Sequence, residues 1–147
     1  FLLNMCPNKN LAKKVVDKMM SGDAFSQWLG IEVLEISVGF CKLKMTVRDE
    51  MTNGFKIAHG GIAYSLADSC LAFAANSDGV QSVSVETSIS HTKKVVSGDT
   101  LTATTKEIRK SEKTGFYHIT ITNQNNIEIA HFKGTVFRTS RKWFAKN

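Results

Sequence analysis

Hydrophobic positions recur every three or four residues from Asn10 to Met20, with Leu11, Val15, Val16 and Met19 on one side and Lys13, Lys14 and Asp17 on the other. That spacing predicts an amphipathic helix. Ser21-Gly22-Asp23 ends it, and Ala24–Leu29 reads as a further short helical turn stopped by Gly30. From Ile31 the period falls to two. Ile31–Ser37 and Phe40–Val47 flank Val38-Gly39 as a hairpin, and Arg48–Lys56 follows as a polar loop. Gly60–Asn76 is again helical, but Ile62, Ala63, Leu66, Ala67, Leu71, Ala72, Phe73, Ala74 and Ala75 leave almost no polar face. A helix apolar nearly all round must be wrapped by other elements. Four strand-like runs complete the chain: Ser82–His91, Thr100–Ile108, Phe116–Asn123 and Ile127–Phe137. Their turns are Ser97-Gly98-Asp99, Lys113-Thr114-Gly115 and Asn123–Asn126, and strands joined by short turns are expected to be antiparallel neighbours. One helix is enclosed only if the sheet curls around it, which predicts an α+β class.

A length of 147 residues fits one domain, with residues 10–29 as a helical lead and residues 1–9 expected to be poorly ordered or an appended start. No apolar run reaches the ~18 residues that span a bilayer, and Phe1–Leu3 is too short for a signal-peptide core. The three cysteines, Cys6, Cys41 and Cys70, are far apart and contain no CxxC pair. A disulfide framework is therefore not expected, and a reducing, cytoplasmic setting is. His59, His91, His118 and His131 lack ligand spacing, so no metal is expected unless the fold itself gathers them. Dinucleotide, P-loop, hydrolase-elbow and zincin motifs are absent. Nineteen Lys and Arg against thirteen Asp and Glu give a net charge of +6. That balance suits an anionic partner such as nucleic acid, an acidic membrane surface or a phosphate-rich small molecule, and is equally compatible with none.

One constellation stands out: Asn53-Gly54, then His59-Gly60-Gly61, then Leu66-Ala67-Asp68. Glycines at a helix start let a ligand approach the free N–H groups, which with the helix dipole suit an oxyanion or polarised carbonyl. The alternative is that Gly60-Gly61 only allow tight packing. Asp68 lies mid-helix among apolar residues, where an unpaired carboxylate is costly; a merely structural role on a narrow polar strip with Tyr64 and Ser65 is the alternative. Eight residues of helix separate Gly60 from Asp68 by ~12 Å. No reacting atom lies close to both, so a mechanism that uses both requires two chains with antiparallel helices across a two-fold axis.

This pattern resembles the hotdog-fold thioesterases, specifically the phenylacetate-pathway (PaaI-like) acyl-CoA thioesterase family. Its motif Asn-x5-His-Gly-Gly-x4-Leu-x-Asp is matched at Asn53, His59, Gly60, Gly61, Leu66 and Asp68, and Gly98-Asp99-Thr100-Leu101 is similar to the family's GDTL segment. The resemblance covers roughly Phe25 to Arg138. It implies a six-stranded antiparallel sheet wrapped around the Gly60–Asn76 helix, assembled as dimers and usually tetramers. It also implies hydrolysis of an acyl-CoA to a carboxylic acid and coenzyme A, with no cofactor beyond the coenzyme A of the substrate. By position, the Gly60 N–H polarises the thioester carbonyl, and Asp68 of the other subunit acts as general base or nucleophile. Asn53 holds water or substrate, His59 orders the loop, and Ser84 on the next strand is the nearest match to an assisting hydroxyl. Gly61 and Tyr64 are candidate substrate contacts.

Where relatives carry Arg-Pro before the GDTL segment, this chain has Lys93-Lys94-Val95, which keeps the charge and loses the stiff turn. Lys93, Lys94, Arg109, Lys110 and Lys113 fall in or near turns and are candidate contacts for the phosphates of coenzyme A; singly, each also reads as a solvated edge charge. Glu86 is expected to face solvent. The tail, with Arg138, Arg141, Lys142, Trp143, Phe144 and Lys146, is expected to dock, and neither nucleic acid nor membrane is expected as a partner. Three other readings differ in class: a hotdog dehydratase, a non-catalytic acyl-CoA or acyl-carrier binding module, and a basic nucleic-acid-binding domain. The HGG-to-Asp68 spacing argues against the first, and the last has only charge in its favour, with no reader motif.

Overall fold

The computed structural model describes residues 7–145. Helix α1 (Pro7–Gly22) opens at the only proline of the chain, whose fixed φ and missing N–H suit a first helical position. The helix thus begins three residues before the Asn10 start that the periodicity predicts; residues 1–6, with Cys6, and residues 146–147 lie outside the described part. Helix α2 (Ala24–Leu29) is capped by Asp23, which accepts from the Ser26 N–H at 2.9 Å, and ends at Gly30 in the left-handed region, φ 73°.

Strands β1 (Glu32–Ser37) and β2 (Phe40–Thr46) form the expected hairpin, and a short 3-10 turn at Asp49–Met51 interrupts the polar loop. Helix α3 spans Gly60–Asn76. It is followed by β3 (Val80–His91), β4 (Thr100–Lys110), β5 (Thr114–Thr122) and β6 (Glu128–Lys142). All pairings are antiparallel, in the order β1-β2-β4-β5-β6-β3. Alternation sorts the faces: Tyr117, Ile119 and Ile121 of β5 point inward and are buried, while Phe116, His118 and Thr120 point outward. Helix α3 packs against β2, β3, β4, β5 and β6, so the sheet curls round it as the apolar circumference requires.

Two expectations fail. Strands β3 and β4 are not neighbours, although the turn between them looked short. Residues 92–99 instead cross the start of α3, with Val95 buried and its carbonyl accepting the Ala58 N–H at 2.8 Å, and deliver β4 beside β2. The chain crosses because α3 must be covered at that end. Strand β6 also runs five residues beyond Phe137, and β3 starts two residues before Ser82. The inward position there is polar, Arg138, held by Asp78 at 2.9 Å, so hydrophobic alternation lapses where pairing continues. The tail docks as expected: the Trp143 Nε1–H donates to Asn76 Oδ1 at 2.8 Å.

Candidate active site

At the start of α3, the first N–H groups divide unequally. His59 is the N-cap, and its Nδ1 accepts the Gly61 N–H at 2.9 Å. The Ile62 N–H donates to the His59 carbonyl at 2.9 Å. The Gly60 N–H has no acceptor among the described residues, so the helix start offers one free, oriented donor. Gly61 is therefore not a second donor. A methyl group on it would lie 3.1 Å from His59 Nδ1, so its smallness makes room for the cap.

The cleft in front of Gly60 is lined by Asn53, Ala58, His59, His91, Lys93 and Lys94, among others. Asn53 belongs to an Asx turn: its Oδ1 accepts the Phe55 N–H at 2.9 Å, and its backbone N–H and carbonyl bond Ile57 and Lys56. The Asn53 amide NH₂ has no acceptor among the described residues, and Asn53 lines the cleft. Phe55 is 86% exposed at the tip of the loop. His91, at the end of β3, was not anticipated. Its Nε2 lies 3.4 Å from where a Gly60 Cβ would be, a proximity created by the strand's path over α3, with no trace in local spacing.

Two turns further along α3, Asp68 lines a separate cleft with Leu71, Ala72, Ser82, Val83, Ser84, Val136 and Trp143. No hydrogen bond or ion pair from the described residues reaches its carboxylate, and burial pushes its pKa above the ordinary value. Ser84 is thus placed with Asp68 and not with Gly60. It pairs with inward-facing Val136 just before a bulge that leaves Val85 exposed. Glu86 is exposed as expected. Tyr64 lines neither cleft: its ring meets Phe132 edge-on at 5.2 Å and its hydroxyl bonds Thr87.

The basic residues separate likewise. Lys93 and Lys94 border the Gly60 cleft. Arg109, Lys110 and Lys113 sit at the far end of β4, ~30 Å along the strand from Thr100. Lys110 is engaged by Asp78 at 3.2 Å, and Lys113 borders a groove with Arg138 and Lys142. Burial would raise the Asp78 pKa, but the Val80 N–H, Arg138 and Lys110 together hold it below the ordinary value. Cys41 and Cys70 are free and buried against each other, with the Cys41 thiol driven up by its hydrogen bond to Cys70 and by burial. Among the described residues, no group of three or more His, Cys, Asp or Glu side chains gathers for a metal ion, and no helix is long and apolar enough to cross a membrane.

A profile described as "Thioesterase superfamily" matches residues 55–130. Acyl-coenzyme A thioesterase PaaI of Escherichia coli is 38% identical over 120 residues, which cover 82% of this chain and 86% of that protein. A structure of the E. coli PaaI protein, from the phenylacetic acid degradation operon, superposes with a TM-score of 0.89 at 35% identity, covering 91% of this chain and 97% of that one. A Streptococcus mutans protein solved bound to acetyl-CoA superposes with a TM-score of 0.74 at 27% identity, covering 76% of this chain and 90% of that one.

Proposed function

The chain belongs to the thioesterase superfamily, and from that premise we propose that it hydrolyses an acyl-coenzyme A thioester to a carboxylic acid and coenzyme A in a site shared between two subunits. The observation that carries this reading is the single unspent N–H of Gly60, facing a cleft while its neighbours are committed to the cap. The similar proteins support the substrate class: one is named for acyl-CoA hydrolysis, and another binds acetyl-CoA.

The chemistry needs few groups. The thioester oxygen takes the Gly60 N–H, with the Asn53 amide beside it, and the carbonyl carbon becomes more electrophilic. An oxyanion donor of this kind lowers a barrier by ~2.7–4 kcal/mol. Asp68 of the partner subunit, raised in basicity by burial, either takes a proton from water as it attacks or attacks directly, with Ser84 beside it to hold the water. The C–S bond then breaks and the coenzyme A thiolate leaves, to be protonated by solvent; after direct attack, water hydrolyses the acyl-aspartyl anhydride, which releases the carboxylic acid and restores the Asp68 carboxylate. Lys93 and Lys94 supply positive charge at the mouth of the Gly60 cleft. Arg109, Lys110 and Lys113 contribute only from the partner, whose α3 runs the other way.

Strand β3 supports the second subunit. Among the described residues it pairs with β6 alone, and it carries Val83 and Val85, 56% and 63% exposed. Such an edge is normally covered, and it adjoins Ser84 and the Asp68 cleft.

The test is thiol release from aromatic, short-chain and long-chain acyl-CoAs by wild type and Asp68→Asn. Turnover that disappears in a folded variant supports the proposal and identifies the acyl class. Absence of turnover on every member, with acyl-CoA still bound, would leave a binding module of the same fold.

A further inference from the structure

The outer face of the sheet, away from both clefts, brings together two histidines that lie thirteen positions apart in the sequence. His118 on β5 and His131 on β6 point outward from adjacent strands: His118 pairs with Lys106 and Lys133, and His131 with Thr120 and Ser90. Their rings are nearly parallel, 19° between planes, and His131 Nδ1 lies 3.3 Å from His118 Nε2. The other nitrogen of His131, Nε2, is 3.0 Å from a Glu128 carboxylate oxygen.

We propose that His118 Nε2 and His131 Nδ1 form a two-imidazole clip for a first-row divalent cation, copper(II) in preference to zinc. Two neighbouring nitrogens bound to one ion are about 2.8–3.3 Å apart, from square-planar to tetrahedral angles, so the 3.3 Å pair is spaced to share one once both rings turn their lone pairs off the N···N line toward it. Glu128 supplies the outer contact that metal-bound histidines ordinarily have. It holds the proton on Nε2 and leaves the Nδ1 lone pair turned toward His118. Binding requires His118 to move its ring proton from Nε2 to Nδ1, a tautomer change with no net loss of protons. Water completes the coordination. Imidazole donors favour copper over zinc by the usual order of divalent ions and give magnesium no hold. Lys106 and Lys133 flank the pair and keep the affinity moderate.

The experiment is calorimetric titration of the full chain with copper(II), zinc and magnesium chlorides near neutral pH. It compares wild type with His118→Asn, His131→Gln, Glu128→Gln and His91→Ala, with folding checked by circular dichroism. One copper ion per chain is expected, zinc binding more weakly and magnesium not at all. His118→Asn and His131→Gln should each weaken binding by at least ~10-fold, with Glu128→Gln weakening it by about 10-fold and His91→Ala leaving it unchanged. Electron paramagnetic resonance of the copper form should show two imidazole nitrogens. This outcome is independent of thioester hydrolysis. No copper binding, or binding undiminished in folded His118→Asn and His131→Gln, or lost in His91→Ala, would overturn the proposal.

Discussion

A methyl group at Gly60 would meet His91 Nε2 at 3.4 Å, an ordinary contact, whereas one at Gly61 would press on the capping ring at 3.1 Å. Gly60→Ala should therefore fold as well as wild type or better, by up to about 1 kcal/mol from helix propensity. Its kcat/KM for acyl-CoA should nevertheless fall, because the methyl stands where the thioester oxygen approaches the N–H; equal kcat/KM would remove Gly60 from the site. Asp68 carries the opposite tension. Its folded pKa lies above the unfolded value, so the native state favours the protonated form and loses stability as pH rises through that folded pKa. Asp68→Asn should accordingly raise the melting temperature at neutral pH while it abolishes hydrolysis, a divergence that calorimetry and a thiol assay read together. These two residues were legible as a motif. The division of labour between the glycines was not, because it depends on which N–H the His59 ring takes, and His91 was hidden because a strand end brings it to Gly60 from 31 positions away.

The elements were legible in number and type, since α3 announces its burial and β5 its alternation. Their ends were not. Strand β6 continues through Arg138 because Asp78 compensates the inward charge, a pairing between distant segments that periodicity does not register. The contact between α3 and β6 is similarly specific. A methyl at Gly134 would lie 2.4 Å from Leu71 Cδ2. Gly134→Ala should cost ~1–3 kcal/mol by overpacking, and Leu71→Ala alone ~2–5 kcal/mol by cavity formation. The double variant should be less destabilised in urea than the sum of the two, because the new methyl fills part of the space that leucine leaves. Additivity would mean that the strand shifts away instead. Asn76 closes the far end of the helix: its amide donates to the Ala72 and Ser82 carbonyls, and its Oδ1 accepts from the Ser82 N–H and the Trp143 indole.

At the scale of the whole molecule, the separation of Gly60 from Asp68 is the constraint that matters. One chain holds the free Gly60 N–H at one cleft and the Asp68 carboxylate at the other. If two chains exchange these halves, mixing Gly60→Ala with Asp68→Asn by joint unfolding and refolding should restore activity that neither variant has alone, about a quarter of the wild-type sites at equal amounts with random pairing. No recovery, with mixed dimers demonstrated by mass, would place both groups in one subunit's chemistry and overturn the shared site. That a site using both groups needs two chains follows from helix rise alone. That β3 is a border strand does not, because the crossing of residues 92–99 is what puts it there.

That border position also sets an order in time. On the ribosome β3 is made before β6, its one partner among the described residues, with the 36 residues 92–127 still to be made between them at ~5–20 residues per second. Until β6 arrives, β3 has two open edges and Asn76 lacks the indole it holds in the finished protein. A nascent chain stalled before Glu128 thus exposes valine-rich strand that a folded subunit shields on one side, and the sheet is most prone to aggregate in the seconds between the synthesis of β3 and that of β6.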